Sequence, residues 1–234
     1  MATGAYDANG IWQYGEDDNI ALFSDLLNLG TESTSDAFTD DRARIATLEA
    51  GSLAGLIPIK PSTVTVATGS ASVNTLGVVT FSGATSVTLN NVFSSGYKNY
   101  GYLINISAVS DVSTVLNLQL ASSGTASNTN YNWAGVRSLS GTPSLTATEG
   151  SSAGYWSILE IGSAAPPAAV SGEIFEPASS NYSEITYRGM GYSGSYLATR
   201  HGSGRHFGTS YDGVKIYPAA GTFGGTIQIL GYND

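Results

Sequence analysis

The sequence predicts a mainly β protein in which a short α-helical, coiled-coil stem precedes an antiparallel β-sandwich head of jelly-roll type. Three observations carry this reading. Apolar residues recur at spacings of three and four up to Gly51, and at a spacing of two from Ser62 onward. Between them "GSLAGLIPIKP" punctuates the chain with Gly and Pro. Charge divides at the same place: residues 1–50 hold ten acids against Arg42 and Arg44, a net −8 of the chain's −9.

Residues 1–16 show neither helical nor strand periodicity, and with glycines beside Trp12 and Tyr14 they read as an irregular aromatic arm for assembly contacts. Asp17 or Asp18 caps a helix over "NIALFSDLLNLG", where Ile20, Phe23, Leu26 and Leu27 share a face and Gly30 fits the C′ position. Ser33 with Asp36 opens a second helix that ends at Gly51. On it Phe38 and Ile45 stand a heptad apart and Leu48 takes the next d position, while Asp41 interrupts the seam. A seam of two heptads is marginal in water. Either the helix packs on its own body, or it self-associates in chains also held together elsewhere, which the abrupt Gly/Pro exit favours. The expected divisions are an arm and helix over 1–30, a stem over 31–51, a Gly/Pro neck over 52–61 and a head over 62–234.

Head strands are signalled by short β-branched or aromatic runs bounded by Gly, Ser, Asn or Pro. In order they are "STVTVATG", "TLGVVTFSG", "TSVTLNNVF", "YGYLINISAVS", "STVLNLQLASS", "NYNWAGVRSLS", "YWSILEIG", "SGEIFEP", "SEITYRGMG", "SYLATRHG", "DGVKIYP" and "GTIQILGY". Alternation is clean where Tyr100, Tyr102, Ile104 and Ile106 oppose Asn99, Gly101, Leu103 and Asn105, and where Leu116, Leu118 and Leu120 oppose Val115, Asn117 and Gln119. No repeat at a fixed period supports a propeller. At the end of the chain, Asp212-Gly213 supplies a turn tolerant of positive φ and Pro218 stops a strand. Gly221, Gly224 and Gly225 permit a tight reversal, so Val214, Ile216, Ile227 and Ile229 face one core as a closing hairpin.

Composition excludes several classes. There is no cysteine, hence no disulfide or thiolate metal site. No apolar run reaches the ~18–20 residues of a membrane span, and "MATGAYDANG" has neither the basic start nor the apolar core of a secretory signal. The 184 residues after residue 50 carry eight acids and seven bases, so no basic footprint for nucleic acid exists. With 29 Gly and 14 Tyr over the whole chain, 25 and 12 of them after residue 50, such a body presents hydroxyls and rings rather than ions.

Candidate chemistry is sparse. "RHGSGRH" brings together Arg200, His201, Arg205 and His206 on what reads as a mobile turn, either a plain solvated loop or a grip on an anionic sugar or phosphate. Without a neighbouring Asp, Glu or Cys it makes a poor metal site, and no metal or cofactor is expected. Exposed rings stack on sugars while Asn, Ser and Thr bind hydroxyls, and Tyr131, Trp133, Tyr155, Tyr182, Tyr192 and Tyr196 lie in or beside loop-like stretches. Taken singly, each of these rings reads as core before ligand platform, and Trp156 is the most core-like. No Walker loop occurs, and Glu173 and Glu176 fall on opposite faces of a strand, so an enzyme is not expected.

Two segments carry a resemblance. "DANGIWQYGEDDNIALFSDLLNLGTESTSDAF" (7–38), followed by "DRARIATLEA", resembles the opening of minor tail or tail-fibre proteins of bacteriophages that infect actinobacteria. "DGVKIYPAAGTFGGTIQILGY" (212–232) is similar to the last hairpin of phage fibre heads. The resemblance implies a homotrimeric virion structural protein, assembled in the host cytoplasm. Its N-terminal part, with Trp12, Tyr14, Ile20, Phe23, Leu26 and Leu27, would join other virion proteins; Phe38, Ile45 and Leu48 would form the trimer stem. The head would meet a host-surface glycan. A capsid decoration protein and a surface-polysaccharide depolymerase or esterase are the alternatives.

Overall fold

The computed structural model describes Ala5–Tyr6, Trp12–Gln13, 55–162 and 167–232. The chain divides into two units between Leu53 and Ala54. In the first, β1 (Ala5–Tyr6) pairs antiparallel with β2 (Trp12–Gln13), so the arm read as irregular contains a strand pair. Two-residue ladders are too short for alternation to register in the sequence. The helices expected over 17–30 and 31–51, with Ile20, Phe23, Leu26, Leu27, Phe38, Ile45 and Leu48, lie outside the described residues, as do Tyr14 and the side chain of Trp12.

The second unit is built from two antiparallel sheets, its strands numbered in chain order. One sheet runs β10 (Thr125–Ala126), β9 (Thr114–Ser122), β17 (Gly213–Pro218), β7 (Val87–Asn90), β4 (Thr63–Val66), and β13 (Trp156–Ile161) also pairs with β9. The other runs β12 (Thr142–Ala153), β11 (Tyr131–Leu139), β16 (Tyr196–Phe207), β15 (Tyr182–Ser193), β14 (Ala168–Phe175), β8 (Asn99–Val109), β18 (Phe223–Tyr232), β6 (Val79–Ala84), β5 (Ser70–Val73). There β3 (Leu56–Ile59) pairs with the last residues of β18. The described residues hold no helix.

The core lies between the sheets, where the alternating positions predicted to be apolar meet. Tyr100, Tyr102, Ile104 and Ile106 of β8 are buried while Leu103 is 43% exposed, as the alternation required. Leu116, Leu118 and Leu120 of β9 face Val214 and Ile216 of β17, and all are buried. Phe81 and Phe223 meet with ring centroids 4.7 Å apart, and Phe93 meets Tyr100 edge-on at 4.8 Å.

Four expectations need correction. The Gly/Pro neck contains β3, because Leu56–Ile59 completes the ladder of β18 beyond the end of β6. The closing hairpin is instead a crossover: β17 joins β7 and β9, whereas β18 joins β8, β6 and β3. Both strands still aim at one core, which is why Val214, Ile216, Ile227 and Ile229 are all buried. Gly213 is not a positive-φ turn residue but opens β17, and Gly224 and Gly225 lie within β18, leaving Gly221 (φ 75°) as the positive-φ glycine of the connection. Finally, "RHGSGRH" is no mobile turn but strand, paired residue by residue with β11 and β15.

The glycines of that stretch have a packing reason. Gly202 and Gly204 point inward, and a Cβ on them would stand 2.2 Å from the Tyr187 hydroxyl and 2.6 Å from Trp156 Nε1. Their missing side chains make room for two buried rings. A signal read as flexibility is therefore a close approach within a sheet.

Candidate functional site

Alternation along the wide sheet sends every second residue outward, and register then lines these residues up across strands. One such row is short at every position but Glu173: Ala134 on β11 faces Ser203 on β16, which faces Thr186 on β15, then Glu173 on β14 and Gly101 on β8. The row on one side is Asn132, Arg205, Glu184 and Phe175; on the other, Val136, His201, Arg188, Ser171 and Leu103. Short side chains between longer ones make a groove that crosses the strands. Four inter-strand steps of about 4.8 Å give it a length of about 19 Å. It widens into two hollows that meet at Thr186, one of about 780 Å³ between β12 and β14 and one of about 590 Å³ between β16 and β18.

On the first wall Arg205 Nε donates to Glu184 Oε1 at 2.9 Å, and Nη2 bonds to the same oxygen. The guanidinium also lies over Tyr182, 4.5 Å from the ring centroid, with Phe207 at 5.9 Å. The Glu184 hydrogen bond holds the Arg205 pKa above its ordinary value. In the second hollow the Tyr232 hydroxyl donates to Glu173 Oε1, and this bond, ahead of burial, pushes the tyrosine pKa up to about 12. Beneath the floor the Tyr102 hydroxyl donates to the Thr186 carbonyl at 3.0 Å, passing under Gly172. Its pKa is raised well above normal, by burial first and then by Tyr187.

The ring candidates separate accordingly. Arg205 and His201 line the groove and half-buried Trp133 borders it. Tyr192 is half-buried two rows beyond Arg188, and Tyr196 (51% exposed) starts β16 at the hairpin end, away from the groove. Tyr155 is half-buried and meets Tyr217 edge-on at 6.2 Å.

Tyr131, Arg200 and His206 do not line the groove; all three are buried. Tyr131 takes the Leu120 N–H on its hydroxyl at 2.8 Å, and burial raises its pKa. Arg200 donates to Ser157 Oγ at 2.9 Å, stands 3.7 Å from Glu160 and lies 4.9 Å over the Trp133 ring. His206 packs among Tyr131, Trp156 and Tyr211, with Nε2 3.1 Å from Ser127 Oγ. All three occupy inward positions of β11 and β16, and only pairing reveals which positions those are.

Burial lowers the His206 pKa, with the Thr129 backbone opposing. Unfolded chains thus bind a proton that folded chains refuse, and stability falls as pH drops below the unfolded value of about 6.5. Thermal unfolding between pH 7.5 and 5.5 is expected to show a steeper decline in Tm for the parent than for His206→Gln. Equal slopes would remove His206 from the account.

Sequence reading missed Ala134, Ser203, Thr186, Phe175, Glu173, Glu184 and Arg188. The outward alternation Tyr182, Glu184, Thr186, Arg188 was present in "YSEITYR" and was the available signal. No cluster of His, Cys, Asp or Glu among the described residues has metal-site character, and no helix there is long and apolar enough to cross a membrane.

No family model matches the chain, and no curated protein matches it. Among solved structures it is similar to the crystal structure of the Emp47p carbohydrate recognition domain, with 8% identity over 76% of this chain and 96% of that one and a TM-score of 0.29. It is also similar to the SPRY domain of human HERC1, with 10% identity over 77% and 99% and a TM-score of 0.26. Likenesses this distant leave function to be argued from the groove.

Proposed function

We propose that the head binds a host-surface glycan and that the chain is a non-enzymatic structural protein of a phage virion, a trimeric tail fibre or spike attached through its N-terminal segment. The groove carries the glycan reading. It is long, open along its length and floored by small side chains. Ser203, Thr186 and Asn132 offer hydroxyl and amide groups, and Phe175 offers an apolar ring edge. That mixture suits a chain of hydroxylated rings. The virion reading is supported by residues 7–50, whose resemblance is independent of the groove. Three copies of a weak site would suffice for adsorption.

The test is competition. Full-chain protein added in excess should block particle adsorption, and Ser203→Trp, which fills the floor without touching the core, should raise the half-inhibitory concentration about tenfold or more, equivalent to about 1.4 kcal/mol. Undiminished competition by that variant would refute the groove. Particles carrying the protein on the capsid would make it a decoration protein.

Glu149, Glu173 and Glu184 along the same groove favour a second, hydrolytic reading. Against it, Glu184 is paired with Arg205 and Glu173 accepts from Tyr232. Shortening of host polymer by the protein, abolished in Glu173→Gln, would establish hydrolysis.

A further inference from the structure

The two walls of the groove treat charge differently, and this specifies the ligand of the glycan reading on which the inference rests. On one wall Arg205 is closed by Glu184 and stacked on Tyr182. On the other, Arg188 of β15 and His201 of β16 are register partners, so their Cβ atoms stand about 5 Å apart. Both are exposed. Among the described residues neither makes an ion pair. Arg188 has Ser171, not an acid, as its β14 partner, while Glu173 stands opposite Thr186 and accepts from Tyr232. Neither ladder partner of Arg188 is an acid, so an anion between Arg188 and His201 would be a charge partner that the neighbouring strands do not supply.

The hollows differ in balance: Glu149 and Glu184 against Arg205 leave one negative charge in excess in the first, whereas Glu173 and Arg188 balance in the second. Apolar Leu103 borders the second hollow in the same row as Arg188 and His201, two strands from Arg188.

We propose that the groove binds an acidic oligosaccharide, with a sugar unit carrying one anionic group held by Arg188 and His201 in the second hollow and an uncharged neighbouring unit in the first. The Arg188 fork donates two parallel hydrogen bonds to a carboxylate or phosphate oxygen pair. Leu103 offers an apolar contact to the same unit. Glu149 and Glu184 repel a second anion, so charge must alternate along the bound chain.

Calorimetric titration of the full-chain protein tests this with three probes. They are a tetrasaccharide alternating glucuronate with N-acetylglucosamine, its carboxyl-reduced counterpart, and an N-acetylglucosamine tetrasaccharide bearing 6-phosphates on alternate units. The parent should bind at least one charged probe about tenfold or more tighter than the reduced one; which one it prefers identifies the anion as carboxylate or phosphate. Arg188→Ala should erase the preference, Arg188→Lys should keep part of it, and added salt should shrink it. Equal affinity for all three probes, or a preference unchanged in Arg188→Ala, overturns the inference. If Ser203→Trp still abolishes that binding, the glycan groove stands. Binding of none of the three overturns the inference as well, and with it the glycan reading if the protein also fails to compete for adsorption.

Discussion

Replacing Glu160 with alanine is expected to lower the unfolding free energy by about 3–5 kcal/mol, the cost of leaving a buried charge without its partner. Glu160 is 5% exposed on β13, and Oε1 stands 3.3 Å from Arg137 Nη1 and 3.7 Å from Arg200 Nη1. Arg200 is 2% exposed, so removal of the carboxylate strands a guanidinium that solvent cannot reach. Arg137 is partly exposed and adds less, because water screens it. The pair also joins the layers, since Glu160 belongs to one sheet and both arginines to the other. Denaturant unfolding should show the midpoint falling with an unchanged m-value. The double variant Glu160→Leu with Arg200→Met should recover much of the loss, because apolar pairs of similar volume replace buried ion pairs at little cost. A loss below about 1 kcal/mol for Glu160→Ala would mean the charges are hydrated and the network is not structural.

Truncating Trp156 to alanine should cost about 3–5 kcal/mol, the range for a large buried aromatic. Its indole is fully buried under Gly204, edge-on to Tyr131 at 5.0 Å and 6.3 Å from His206. The cavity would open beside the histidine. Water entering it would relieve the desolvation that lowers the His206 pKa, so Trp156→Ala should also flatten the acid-side fall in Tm. Trp156→Phe, which keeps most of the volume, should show a smaller loss and retain the pH slope. Should Trp156→Ala unfold at the parental midpoint, the inter-sheet packing described above would be wrong.

Legibility followed the chemistry of each strand. β8 was readable because its eleven residues carry large apolar side chains on one face and Asn, Gly and Ser on much of the other. β9 was readable for the same reason, although Asn117 and Gln119 are also buried, and Gln119 donates to the Gly154 carbonyl at 2.7 Å. β12 escaped notice because "TPSLTATEGSSA" is mostly small and polar, and it becomes a strand by pairing along β11. "RHGSGRH" misled because glycine at alternate positions reads as a turn unless the rings that fill the space are known. The groove was hidden for a third reason: Ala134, Ser203 and Thr186 come from separate stretches and are unremarkable singly.

Period and composition by themselves determined a sheet-built, nearly neutral body after residue 61 and the inward face of its strongly alternating strands, because apolar burial is a local property of each strand. Pairing decided the rest. Which sheet β17 and β18 join, which arginine is buried and which faces solvent, and where the short side chains of four strands fall in line all depend on register between distant segments, and a single strand's pattern does not contain it.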